Sequence, residues 1–384
     1  TSGFPVLDLE GTSALAVNFG QRPFAYTAPS GFKCLNTGSL PTPTIADGSA
    51  HMDVALWTGQ GNTNDRTITT SFNPDFVWTK ARNTTYHHVL FDAVRGFGQS
   101  NALNTDQNYA EGHKAAGRVK TTSASSITFE NDGGASAEWY NQSGLTYVAW
   151  YWDAGSSTVT NTDGSISSQV RANPTAGFSV VTFTAGGSYG MQSIGHGLNV
   201  KPSIVITKRR DGTADWLVHT DVTGSIQVLD LNNTGAAAGA SSYYSANSTT
   251  FSLYHGHYMD NGWTFLNYCF APVEGYSAMG SYTGNGSSTD GPFVHTGFRP
   301  ALIILKPSSG TGNWTLLDTT RDTYNVADSR LHANLTDAEA TSNTIDILSN
   351  GFKIYRAGLT ENSNGVTYIY AAFAVNPFSL ARAR

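Results

Sequence analysis

Apolar positions in this chain come in short unbroken runs between turn residues, and not as a helical stripe. Phe76-Val77-Trp78-Thr79, Ile204-Val205-Ile206-Thr207 and Leu302-Ile303-Ile304-Leu305 are β-branched or aromatic, with a proline just ahead and charge or turn residues behind. Runs of this kind predict strands buried on both faces, and a proline is tolerated at a strand's start because no ladder donor is lost there. The runs 147–152, 265–270 and 368–373 are equally aromatic and equally free of charge. Helix signals are few: 107–116 and 335–340 are the best candidates, both short and without a sustained apolar face. Asp132-Gly133, Asp163-Gly164, Asp211-Gly212 and Asn261-Gly262 punctuate the chain at hairpin-like intervals. The pattern predicts an all-β protein of antiparallel β-sandwich modules.

The runs repeat. An aromatic-Thr-(Gly/Ala)-x-Gly turn begins at Trp57, Phe183 and Tyr282, and Pro74, Pro202 and Pro300 follow 17, 19 and 18 residues later. Six residues past each proline stands Lys80, Lys208 or Lys306, and fourteen past it His88, Trp216 or Trp314. Each copy closes on Gly-x-Thr-(Tyr/Phe), at Gly144, Gly262 and Gly365. A unit of about a hundred residues exceeds solenoid and propeller repeats of roughly 20–50, so each copy is expected to be a module in tandem. The expected divisions are 1–50, a leading segment and connector; 51–154, 177–275 and 276–384, three homologous modules; and 155–176, a Ser/Thr/Asn-rich linker whose few apolar residues are Val159, Ile166 and Val170.

Charged residues make up 13% of the chain and net charge is −6, so the surface must be largely Ser, Thr, Asn and Gly. Phosphate binding needs a basic stripe; here Lys208-Arg209-Arg210 is the one tight basic cluster, and nucleic acid is not an expected partner. Cys34 and Cys269 have no ligand or disulfide spacing, and Cys269 is expected to be a small buried hydrophobe. The longest apolar stretch, 366–375, is too short for a helix of about 20 residues through a bilayer, and no membrane insertion is expected. The chain opens on Thr1 without a charged-then-apolar leader, which suggests removal of a preceding part.

The stretch Val17-Asn18-Phe19-Gly20-Gln21-Arg22-Pro23-Phe24-Ala25-Tyr26, continuing to Leu35-Asn36, resembles the last strand and tail of SPRY-like sandwich domains in large structural proteins of marine and cyanobacterial tailed phages. Leu40-Pro41-Thr42-Pro43, Pro74-Asp75-Phe76-Val77-Trp78, His88-Val89-Leu90-Phe91-Asp92 and Asn161-Thr162-Asp163-Gly164 resemble the repeated β-modules behind that domain. The resemblance implies a tail or capsid fibre at the virion surface, with other virion proteins as partners; host glycan is an expected ligand on the chain's aromatic composition. It leaves 1–50 as the remnant of a SPRY-like domain. A trimer is the expected assembly, on the role and not on any heptad.

No catalytic elbow, phosphate-binding loop or zinc-protease motif occurs. The expectation is therefore a structural, adhesive protein, without enzymatic activity or cofactor. The alternatives are a depolymerising spike, needing only two facing carboxylates, and a capsid decoration protein. Glu130, Asp132 and Glu138 are the densest acidic group and read as the exposed side of a hairpin. His255 and His257 stand two apart, so a strand would aim both at one face, and on a threefold axis three such pairs could meet a metal. His88 shares its repeat position with two tryptophans and reads as packing. Trp139, Tyr140, Tyr243, Tyr244 and Tyr324 lie outside the repeated landmarks beside small polar residues, a composition suited to stacking on sugar rings.

Overall fold

The computed structural model describes residues 43–61, 65–113, 119–130, 139–355 and 361–376. Three β-sandwich modules account for them, and α-helix is absent among the described residues. The first has an inner sheet, in the order β1 (Met52–Thr58), β7 (Thr146–Trp152), β3 (Phe76–Ala81) and β4 (Val89–Asp92). Its outer sheet is β2 (Arg66–Thr69), β6 (Ser126–Phe129) and β5 (Val119–Ser123). The second module begins earlier than expected. β8 (Thr158–Asn161) and β9 (Ser168–Asn173) are a hairpin laid on β10 (Phe178–Thr184), so the expected linker 155–176 is part of the sheet. That sheet continues through β18 (Thr264–Phe270), β12 (Ile204–Arg209), β13 (Leu217–Thr220), β14 (Gln227–Asp230) and β15 (Ala238–Gly239). Its partner sheet is β11 (Gly190–Gly195), β17 (Thr250–His255) and β16 (Tyr244–Ala246). In the third module β19 (Ser277–Thr283), β26 (Thr367–Phe373), β21 (Leu302–Pro307), β22 (Thr315–Asp318) and β23 (Ala327–His332) curl on into β24 (Ala340–Leu348), β25 (Gly351–Ile354) and β20 (Phe293–His295).

Neither helix expectation holds: 335–340 and the described part of 107–116 are turns and extended chain. The SPRY-like stretch 17–36, Cys34, Asp132 and Glu138 lie outside the described residues. Ile45, expected within a connector, is buried in the body, and the amide of Ser49 donates to the carbonyl of Val375 in the third module. The closing motif has a backbone reason. Gly144, Gly262 and Gly365 have φ of +80°, +84° and +74°, the left-handed region in which a side chain is penalised.

Alternation along the closing strands divides the core. Tyr147, Ala149 and Tyr151 face the first module's own sandwich core, while Val148, Trp150 and Trp152 face a core shared by all three modules. Leu266, Tyr268 and Phe270, and Ile369, Ala371 and Phe373, enter the same shared core from the other two. The modules therefore pack around a pseudo-threefold axis. On it Trp152, Phe270 and Phe373 form a triangle, with ring centroids 5.7–6.1 Å apart. Ala371 holds the register position of Trp150 and Tyr268, and a small apolar cavity of about 40 Å³ lies beside it.

Ring closure is visible in the hydrogen bonds. His88 Nε2 donates to the carbonyl of His332 (3.0 Å), Trp216 Nε1 to that of Asn104 (2.9 Å), and Trp314 Nε1 to that of Asp230 (2.9 Å). The first module thus reaches the third, the second the first, and the third the second. The amides of the same three residues donate to Asp106, Asn232 and Asn334. The repeated lysines stand at these seams. Lys208 Nζ donates to the carbonyl of Asn108 in the first module, and Lys306 Nζ to that of Gly235 in the second. Burial pulls each lysine, Lys80 included, down to about 8.

Two seams carry carboxylate–guanidinium pairs and the third does not. Glu339 takes Arg321 from its own module and Arg82 from the first. Glu111 takes Arg95 from its own and Arg210 from the second. Buried Asp92 and Asp318, paired with Arg95 and Arg321, also accept Tyr268 Oη and Trp150 Nε1 across the seam. At the third seam the residues corresponding to these ion-paired groups are Ser308, Ala237, Thr220 and Ala371, all neutral, and of their contacts the backbone bond from Ala237 to Ser308 is the one that repeats.

Candidate functional site

The outer sheet of the second module presents a cluster of aromatic rings at its surface, Tyr189, Tyr243, Tyr254 and His257. Strand alternation builds it: Phe251, Leu253 and His255 of β17 point inward, and Ser252 and Tyr254 point outward. Register then sets Ser193 and Ser245 on either side of Ser252, and Met191 beside Tyr254. The result is a serine row next to an apolar row. Tyr243 continues the second row, its carbonyl accepting the amide of Tyr254 at 3.0 Å.

The rings support one another. Tyr189 packs edge-on against Tyr254 (5.2 Å, 89°), Tyr243 packs edge-on against Tyr254 (5.5 Å, 87°), and Tyr243 stacks on His257 (3.9 Å, 19°). Perpendicular and stacked contacts of this kind hold rings in place beyond the area they bury. Gly256 is required twice over. Its φ is +92°, and a Cβ there would sit 2.1 Å from the Tyr189 ring. Tyr189 is 74% exposed and Met191 40%. Gln192 Nε2 donates to the carbonyl of Ser188, and Ser165 Oγ donates to Gln192 Oε1, which fixes the polar border.

Of the sequence candidates, Tyr243 and His257 belong to this face. Tyr244 is buried beneath it, stacked on His219 at 4.3 Å. Tyr140 is a core residue of the first module, stacked on Phe129, and Trp139 is half-buried against His87. Tyr324, 83% exposed, stands apart in the third module. The expected pairing of His255 and His257 on one face fails because β17 ends at His255 and Gly256 turns the chain. His255 is buried with Nε2 on Asn261, whereas His257 is exposed. Among the described residues no group of three or more His, Cys, Asp or Glu is placed to hold a metal ion. Cys269 is buried, and burial pushes its thiol up to about 12.

Tyr189, Met191 and Tyr254 were not among the sequence candidates. Tyr254 alternates with the buried residues of Phe251-Ser252-Leu253-Tyr254-His255, which marks an outward position once the inward set is known. Tyr189 lies in Gly187-Ser188-Tyr189-Gly190, a turn in which a bulky ring has no core to fill.

The chain belongs to the family described as a domain of unknown function, DUF7483, which matches residues 47–377 and so spans all three modules. No curated protein and no solved structure matches it.

Proposed function

We propose that this DUF7483 chain is an adhesive body at the surface of a tailed-phage virion, and that it holds host-surface glycan against the Tyr189–Tyr254–Tyr243 face. The face carries the reading: fixed rings with exposed edges beside a row of hydroxyls suit the apolar faces and hydroxyl rims of sugars. The resemblance in the sequence supplies the virion setting, with other virion proteins as partners. The low charge of the surface suits a body that must not stick to everything. Three copies already close a ring within one chain, so the three-sided body that a trimer would supply is present in a single copy. A depolymerase would need paired carboxylates, and among the described residues the polar cleft of the first module is lined by one, Asp53.

Affinity electrophoresis in gels containing host-surface polysaccharide tests this. Tyr189→Ala and Tyr254→Ala are each expected to weaken retardation roughly 5- to 30-fold, the loss of about 1–2 kcal/mol typical of an aromatic anchor. Tyr324→Ala is expected to leave it unchanged. Equal retardation of all variants, or release of new reducing ends from the polysaccharide, overturns the adhesive reading.

A further inference from the structure

The copies differ at one corner of the sandwich. In the second module the hairpin β8–β9 extends the inner sheet at β10, and the start of β9 lies against the outer strand β11. β9 pairs antiparallel with β10, the amide of Ile166 donates to the carbonyl of Ser193 (3.0 Å), and Ser168 Oγ donates to that of Gly195 (3.0 Å). Val170 of this strand and Ile166 just ahead of it enter the module's core. In the first module the corresponding strands, β1 and β2, are each the edge of their sheet, and no strand among the described residues lies between them. The corner is instead a cleft of about 540 Å³ between the two edges.

The walls of that cleft are those of an unfilled strand site. β1 is bonded to β7 on one side only, so its other edge offers backbone donors and acceptors. One of these, the amide of Val54, is held by the carboxylate of Asp53 (2.8 Å), which also takes Ser71 Oγ (2.7 Å) and Tyr151 Oη (3.3 Å). Opposite, Arg66 Nε is buried without a hydrogen-bond partner. An edge guarded by a carboxylate and faced by a guanidinium whose Nε has no partner among the described residues suits a strand that brings its own polar side chains.

We propose that the cleft between β1 and β2 accepts an extended peptide strand from a partner protein, which pairs antiparallel with β1 as β9 pairs with β10. The strand adds main-chain hydrogen bonds to an exposed edge. The register of β9 sets Val170 opposite Val181, and the position of Val181 is Ala55 in β1. A small β-branched residue therefore belongs opposite Ala55, and a hydrogen-bond acceptor within reach of Arg66 Nε. To bind, the strand displaces Asp53 from the amide of Val54. This site is separate from the aromatic face and does not depend on the glycan reading.

The probe is a fluorescein-labelled peptide of residues 164–173, the strand that fills the homologous corner, added to the full chain. Saturable anisotropy is expected, together with slowed amide exchange in 52–58. Ser71→Trp fills the cleft and should weaken binding at least tenfold, whereas Val159→Trp, on the exposed strand β8, should leave it unchanged. Asp53→Ala frees the edge amide and should tighten binding severalfold, which keeps the test decisive if Ser71→Trp does not fold. No saturable binding at millimolar peptide, binding indifferent to both cleft variants, or protection confined to β8 overturns the proposal.

Discussion

His219 is the residue least suited to its surroundings. Its register position holds Phe91 in the first module and Leu317 in the third. Both ring nitrogens are buried without a hydrogen-bond partner, between Tyr244 (4.3 Å, 7°) and Tyr258 (5.0 Å, 74°). Burial alone pushes its pKa down from the ordinary 6.5 to about 3, with no charged neighbour contributing. The unfolded chain therefore takes a proton near pH 6.5 that the folded chain refuses, and stability is lost as pH falls from about 6.5 towards 3. His88 adds a loss of the same sign; Asp75, raised to about 6 by burial, opposes it between about 6 and 3.8. His219→Phe is expected to stabilise the fold by about 1–2 kcal/mol at pH 7, as two orphaned polar atoms disappear. At pH 5 the gain should grow by about 2 kcal/mol. Urea midpoints of both proteins at the two pH values measure this, and parallel acid losses would count against it. Nothing in the sequence marked His219, because a lone histidine in an apolar run looks the same with partners as without.

At the scale of elements, sequence pattern located strands well and misjudged what polar stretches do. The apolar runs became β3, β12, β21 and the three closing strands, since charge-free runs can only be buried. The stretch 155–176 reads as a linker because β8 is largely exposed and, Val159 apart, polar. Its signal was the alternation Ile166-x-Ser168-x-Val170, three inward positions of which one is a serine, too weak a pattern to separate from composition. The His255 and His257 pairing failed for a related reason, since the two-residue period holds only while the strand continues. The seams join elements through charge, and they can be tested one at a time. Glu339→Ala leaves Arg82 and the buried Arg321 without their shared carboxylate and should cost about 3–5 kcal/mol. Glu111→Ala should cost a similar amount for Arg95 and Arg210. Guanidinium denaturation is the measurement, and a loss under about 1 kcal/mol in both variants would mean that the charges are dispensable at these seams.

At the scale of the whole molecule, the sequence contained three copies and concealed their closure. Strands apolar on both faces said that each inner sheet is covered twice, once by its own outer sheet. The identity of the second cover lay in contacts between residues far apart in the chain, such as Trp150 with Asp318 and His88 with His332; the repeat landmark at His88, Trp216 and Trp314 marks one side of each seam and not its partner. Closure changes what stability means for this chain. A module in a tandem series keeps its core when cut free, whereas the first module cut free would expose Phe76, Trp78, Trp150 and Trp152 together, a patch far larger than single surface hydrophobes. Each such side chain contributes about 1.5–3 kcal/mol by burial, against a net stability of about 5–15 kcal/mol for a typical protein. The three modules should therefore melt as one cooperative unit, with calorimetric and van't Hoff enthalpies in agreement. The fragment 47–154 alone should fail to fold or should aggregate. Three resolved transitions in the intact chain, or a soluble fragment with the tryptophan emission of a buried core, would show instead that the modules stand on their own and that the shared core only ties them together.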